Sequence, residues 1–106
     1  MTGKCFLITD KYLDNLNNQK KWNLQHALNG GEQLLCGYWV DGYDKEHNMV
    51  VEYDEPKHYK ADGNLRRKDI KRQEEIIKSL HCKFYRYNEV LDTLYEVILN
   101  ETNSKN

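Results

Sequence analysis

The sequence predicts an α/β domain: a central mixed β-sheet that begins as an antiparallel meander, with helices on its flanks. Three runs of residues predict it. Tyr38 to Asp44 and Met49 to Asp54 are rich in aromatic and β-branched residues, and Lys45-Glu46-His47-Asn48 between them reads as a hairpin turn. Asn64 to Leu80 places Leu65, Ile76 and Leu80 on one stripe with Ile77 alongside, which is the spacing of an amphipathic helix capped by Asn64. Cys82 to Tyr87 alternates Cys82, Phe84 and Arg86 with Lys83, Tyr85 and Tyr87, the period of a strand. A strand that follows a helical crossover enters parallel to its neighbour, so the sheet is expected to be mixed.

The other elements are expected around this frame. Cys5 to Thr9 fits a short strand, and Asp10 fits the cap of a turn through Tyr12, Leu13 and Leu16, so residues 1–18 stay open between the two. The Asn-rich stretch Asn15 to Asn18 suggests a break. A helix is expected from Lys20 to Leu28, with Trp22, Ala27 and Leu28 inward and Asn29-Gly30-Gly31 as its stop. Gln33 to Cys36 reads as a strand and Gly37 as a turn or bulge, unless this run and the next form one bent strand. Pro56 ends the run from Met49, because proline has no N–H for the ladder, and Asp62-Gly63 marks a turn. Asn88 is expected to cap a last helix to about Leu99, with Val90, Leu91, Leu94, Tyr95 and Ile98 as its core stripe. Residues 101–106 form a polar tail expected to fray.

At 106 residues the chain is expected to fold as one domain, 1–106, with one modest core. Its 39% apolar and 31% charged residues are ordinary for a globular protein. No apolar run approaches the ~20 residues that span a membrane, and Cys5 to Ile8 is too short for a signal-peptide core. Cys5, Cys36 and Cys82 are odd in number and contain no CxxC pair, which argues against a zinc site and for buried reduced thiols. The expected setting is intracellular, in the cytoplasm or at the nucleoid or nucleus, with no membrane partner. The formal net charge is −1, but it is unevenly spread. Residues 57–86 hold ten Lys and Arg against four Asp and Glu, which leaves six against thirteen elsewhere. Such a segment suits contact with a phosphate backbone, or else it is a solvated helix face. Lys57, Lys60, Arg66, Arg67, Lys68 and Arg72 are the candidate contacts, with Lys71 in the same run. Asp69, Arg72 and Gln73 also lean inward on the helix and need partners there: the carboxylate cluster, a phosphate, or a local Arg72–Asp69 pair. The eight tyrosines are expected mostly as half-buried sheet residues, with Tyr59 kept as a possible site residue.

The hairpin carries chemistry. A two-residue or a symmetric four-residue loop sets Asp44 opposite Met49, Tyr43 opposite Val50 and Asp41 opposite Glu52. Directly opposed side chains have Cβ atoms roughly 4.5–5.5 Å apart, and like charges so placed destabilise a sheet. Alternation puts Asp54 on the face of Glu52. A bound divalent cation offsets such repulsion, and Mg²⁺ is commonly held by one or two carboxylates plus substrate phosphate. His58, four residues past Asp54, falls on a loop beside the carboxylates, where it can move a proton to or from water or a leaving group. The plainer alternative is a solvated strand face with a surface histidine.

These residues also carry a resemblance. Asp41 in VDGY, a turn, an apolar strand ending Glu52-Tyr53-Asp54 and then His58 resemble the restriction-endonuclease-like nucleases of the PD-(D/E)XK superfamily. Within it they look most like the very-short-patch-repair-like and homing-endonuclease-like branch. Asp69 to Ile76 (DIKRQEEI) followed by Lys83 to Tyr87 (KFYRY) resembles the helix and last strand of these domains, so the likeness covers about Glu32 to Glu89. It implies a restriction-endonuclease-like core and an endonuclease that uses Mg²⁺, with Mn²⁺ as a substitute, to nick or cut DNA. It implies Asp41, Glu52 and Asp54 as metal ligands, these three and His58 as the catalytic set, and Glu32 as a weaker candidate for the metal shell. Asp54 stands where the superfamily has a lysine, so the positioned cation is missing there and His58 carries more of the chemistry. A chain this small has little surface for specific recognition, so a homodimer or an added recognition domain is expected beside the DNA. Homing, repair, restriction and phage or viral genome processing all agree with this. Two further readings stay open: a non-catalytic nucleic-acid-binding module on the same fold, and a metal-dependent phosphohydrolase acting on a small substrate, although no Gly-rich phosphate loop is present.

Overall fold

The computed structural model describes residues 2–26, 31 and 33–99, with side chains in the first helix from Ile8 onward. Along the chain lie α1 (Thr2–Lys20), β1 (Gln33–Leu35), β2 (Tyr38–Val40), β3 (Gly42–Asp44), β4 (Met49–Asp54), a 3-10 turn (Pro56–His58), α2 (Arg67–Leu80), β5 (Lys83–Asn88) and β6 (Thr93–Glu96). Four strands form one sheet in the order β3-β4-β5-β6, and β1 with β2 forms a separate ribbon. β4 and β5 run parallel across the α2 crossover, while β3–β4, β5–β6 and β1–β2 are antiparallel. This is the expected α/β class with a mixed sheet and two flanking helices. Among the described residues no helix is long and apolar enough to cross a membrane.

β4 is the centre of the molecule. All six of its residues are buried, because a helix covers each face of the sheet. Met49 and Val51 pack against Leu13 and Leu16 of α1 and against Leu24, with Tyr12, Trp22, Tyr85 and Leu94 around them. On the other face Val50 meets Phe84, Val40, Cys82 and Ile76 of α2. Each such side chain contributes roughly 1.5–3 kcal/mol through burial. Gly42 allows the close approach of β3 to α1: a Cβ there would stand 3.1 Å from Leu13 Cδ1.

The hairpin register is the expected one, with Tyr43 opposite Val50 and Asp44 opposite Met49. Its loop is closed by the Asp44 carboxylate, which accepts the His47 N–H at 3.0 Å. The run from Tyr38 to Asp44 is not one strand, however. β2 pairs with β1 and β3 with β4, so Asp41 is the bend at which the chain changes sheets. The β1–β2 turn is two residues long, and both Cys36 (φ 39°) and Gly37 (φ 90°) take the positive φ that a tight hairpin requires. Cys36 is therefore exposed at a turn, not a buried thiol as expected; Cys82 is buried.

Other expectations give way. The N-terminal segment is one continuous helix, without the strand at Cys5 to Thr9 or the break at Asn15 to Asn18. Asn17 does not interrupt α1 because its side chain serves the next segment: its Oδ1 accepts the Leu24 N–H at 2.7 Å and its Nδ2 donates to the Leu24 carbonyl at 3.1 Å. Asp10 is no cap but a buried helical residue, 3.3 Å from His26 Nδ1, while Asp14 holds Nε2 at 2.7 Å. The helix expected from Lys20 to Leu28 does not form over 21–26. Lys21 (φ 60°) ends α1, and Gln25 makes an antiparallel bridge to Tyr43. Ala27, Leu28 and Asn29-Gly30 lie outside the described residues, as do Glu32 and the tail at 101–106.

α2 begins at Arg67, three residues after the expected cap Asn64. Leu65 bridges Tyr59 and the Arg66 N–H donates to the His58 carbonyl at 3.0 Å, which holds residues 64–66 extended. The helix ends at His81 in the left-handed conformation, φ 52°.

The last expected helix is a strand. Asn88 Oδ1 does accept the Leu91 N–H, at 3.2 Å, as a cap would. Asp92 (φ 51°) then turns the chain back, and β6 pairs with β5. Of the expected stripe, Leu94 packs into the core, whereas Val90, Leu91 and Ile98 are exposed. The open edge of β5 offers backbone partners that a solitary helix does not use, and the ladder prevails over the local 3.6 period.

Candidate active site

Parallel strands β4 and β5 end side by side, with Asp54 opposite Asn88, and the first half of α2 crosses one face of them. The carboxyl ends of parallel strands are where α/β sheets form their sites. Here that face is polar. Glu52 and Asp54 of β4, Arg86 of β5, and Asp69 and Gln73 of α2 are all buried. Asp41, His58, Tyr59 and Arg72 border them, half-buried.

Arg86 organises the deepest part. It is 0% exposed, so every hydrogen-bonding group on it must find protein. Nη1 donates to Asp54 Oδ1 at 2.7 Å, Nε to Gln73 Oε1 at 2.6 Å and Nη2 to the Asp69 carbonyl at 3.3 Å. The other Asp54 oxygen accepts the Tyr59 hydroxyl at 2.9 Å. That hydroxyl is pushed well above its ordinary pKa by burial, by Tyr95 and by Asp54 itself, so it stays a donor. Asp54 is thus the counter-ion of Arg86. An acid on β4 is paired with a cation supplied by the neighbouring strand β5.

Glu52 is held differently. Arg72 grips both its oxygens, at 3.1 and 3.2 Å, and Nη2 of Arg72 also donates to the Trp39 carbonyl. This differs from two expectations. Arg72 is not a free cation for phosphate, and it does not make the local pair with Asp69. Burial raises the Glu52 carboxyl, and Arg72 opposes that rise. Asp41 has no such fork. Its Oδ2 accepts the Tyr53 N–H at 2.8 Å, yet burial and the neighbouring Glu52 push its pKa up to about 7. Arg72 therefore spends its fork on Glu52, and Asp41 holds its proton up to about neutral pH.

His58 stands at the rim. Its Nδ1 is 3.5 Å from Asp69 Oδ2 and 3.9 Å from Asp54 Oδ1. Among the described residues nothing hydrogen-bonds Asp69 Oδ2, although that atom is buried. An orphaned acceptor beside an imidazole suits an orienting contact that tightens when substrate binds.

Asp41 and Glu52 offer hard oxygen donors of the kind Mg²⁺ takes, and two carboxylates are enough when substrate phosphate completes the shell. Asp41, ionisable near neutral pH and beside Glu52, fits a cation there as well. The expected three-carboxylate shell is not formed. Asp41, Glu52 and Asp54 do not bring their oxygens within 4.8 Å of one another; among the described residues the group that does so is Asp44, Glu46 and His47, at the far end of the hairpin. That group is a turn anchor. Burial would raise the Asp44 carboxyl, but the Asn23 and His47 N–H groups and the His47 ring hold it below the usual range.

Of the expected phosphate contacts, Lys57, Lys60, Arg66, Arg67 and Lys68 are exposed around the loop and the start of α2. Arg66 Nε donates to the Lys57 carbonyl at 2.7 Å and ties that loop to the helix. Residues outside the expected catalytic set complete the site: Asp69, Gln73 and Arg86. Their signal was the inward stripe of α2 and the position of Arg86 on the strand face of Phe84. Tyr12, Tyr53 and Tyr87 cluster on the opposite, α1 face, with Tyr12 stacked on Tyr87 at 4.0 Å. Comparison of the chain with protein-family models, with curated proteins and with solved structures found no match.

Proposed function

We propose that this chain is a metal-dependent DNA endonuclease that hydrolyses phosphodiester bonds. The observation that carries the proposal is the closeness of Asp41 to Glu52 of β4, with the Arg72 fork on Glu52 and an ionisable Asp41 beside it. The order of helix, antiparallel hairpin, crossover helix and parallel strand supports a restriction-endonuclease-like core for the same reading. An intracellular setting goes with it, and so does a homodimer or a separate recognition domain.

Asp41 and Glu52 would hold Mg²⁺ or Mn²⁺. A cation so held supplies positive charge for the phosphoryl oxygens and lowers the pKa of bound water. Arg72 keeps Glu52 aimed at the site and tempers its charge. His58 turns Nδ1 toward Asp69, which leaves Nε2 to accept a proton from the attacking water. Asp69 then steadies the imidazolium. Lys57, Lys60, Arg66, Arg67 and Lys68 take the flanking phosphates. Asp54 and Arg86 do no chemistry; they fix β4, β5, α2 and Tyr59 in place.

A second reading, a binding module without catalysis, is favoured by the Arg72 fork, which already occupies both oxygens of Glu52. Cleavage of supercoiled DNA separates the two. Nicking is expected with Mg²⁺ or Mn²⁺ and not with EDTA, and Glu52→Ala should abolish it. Folded protein that binds DNA but cuts with neither metal would leave the binding module. His58→Gln should slow cleavage by roughly 10²–10⁴-fold while Mg²⁺ affinity, read by calorimetry, stays the same. Undiminished cutting by that variant would remove His58 from the chemistry.

A further inference from the structure

We propose that Trp39, with Leu34 beside it, is a stacking platform that seats an unpaired DNA base next to the Asp41–Glu52 site, so that single-stranded or locally unpaired DNA is the preferred substrate. This rests on the endonuclease reading of that site. Leu34 and Trp39 are direct partners across the β1–β2 ribbon. They are 54% and 57% exposed, whereas Leu35, Tyr38 and Val40 on the ribbon's other face pack on the core. The outward positions of the two strands are these two apolar side chains, and an indole left this exposed does little for the fold.

The ribbon is tied to the site. Its two-residue turn is tight, Arg72 donates to the Trp39 carbonyl while gripping Glu52, and Tyr38 donates to Glu75 of α2 at 2.5 Å. Trp39 is two residues from Asp41, so their Cα atoms are at most about 7 Å apart. Charge selects the occupant. Lys68 and Lys71 are exposed and lie one helical turn before Arg72 and Glu75, on the flank of α2 that meets the ribbon. Aromatic faces bordered by cations are how proteins bind unpaired nucleic acid.

The test uses the two tryptophans of the chain. Trp22 is half-buried against Tyr85, ring centroids 5.2 Å apart, so Trp22→Phe leaves Trp39 as the sole tryptophan of a folded protein, excited selectively over the tyrosines at the red edge of the absorption. With EDTA present, a 15-nucleotide single strand should quench that emission and bind more tightly than the blunt duplex of the same sequence. Trp39→Ala should weaken single-strand binding about 5- to 100-fold at unchanged Tm. If Trp39→Ala binds both DNAs like the parent, the platform is wrong, and Mg²⁺-dependent cutting that persists shows the endonuclease reading to be intact. If sedimentation finds a dimer that Trp39→Ala dissolves, the patch belongs to self-association. If the parent neither binds nor cuts any DNA, both proposals fall.

Discussion

Asp54→Ala will cost about 3–5 kcal/mol of folding stability, because it strips the counter-ion from a guanidinium with no route to water. A domain of this size has roughly 5–15 kcal/mol in all, so the variant should unfold near or below physiological temperature. Urea unfolding should show a lower midpoint at unchanged slope, which marks a change in stability and not in compactness. The double replacement Asp54→Leu with Arg86→Met removes both charges, and buried ion pairs replaced in this way are often neutral or better. The double variant should therefore recover most of the loss and bind Mg²⁺ like the parent. Asp54→Ala within about 1 kcal/mol of the parent would contradict the anchoring role. A double variant that is folded but has lost Mg²⁺ affinity would return Asp54 to the metal shell.

Asp41→Asn should move stability and activity in opposite directions. The folded-state pKa of Asp41 is raised, to about 7. A carboxyl whose pKa is raised on folding keeps its proton in the native state while the unfolded chain has lost it, so stability falls as pH rises from about 4 to about 7. Asparagine keeps an oxygen for the Tyr53 N–H and has no charge to develop. In metal-free buffer at pH 8 the variant should be more stable than the parent by about 1–3 kcal/mol, and it should lack the parent's decline between pH 4 and 7. It should also fail to cut DNA. Saturating Mg²⁺ should raise the Tm of the parent but not of the variant, and the parent's Mg²⁺ affinity should climb through pH 7 as the proton leaves. A variant no more stable than the parent at pH 8, and still able to cut, would mean that Asp41 is neither strained nor a ligand.

The two predictions separate an acid that supports the fold, Asp54, from one that strains it, Asp41; within EYD itself, Glu52 and Asp54 share one strand and the same alternation. Nothing local distinguishes Glu52 from Asp54. Arg72 and Arg86 do, and each reaches its acid from another element.

Several features were legible in the residues alone. β4 and its pairing with β3 follow from a period of two and a four-residue loop, which leave a single register that buries Met49 and Val51. The crossover helix and the parallel β5 follow from an amphipathic stripe between two strand-like runs. Asp41 beside Glu52 and His58 on the neighbouring loop come from the same local geometry. Pairing between distant elements was beyond those rules. The stretch after Asn88 has a sound helical stripe and even makes a cap-like bond, yet the free edge of β5 draws it into a strand. Asn15 to Asn18 looks like a break, yet Asn17 spends its hydrogen bonds on Leu24 and the helix runs on. Arg72 has Asp69 within local reach and bonds Glu52 instead. Local periodicity sets the direction in which a side chain points, whereas the partner it meets is chosen among groups far away in the chain, where burial makes every unpaired charge costly.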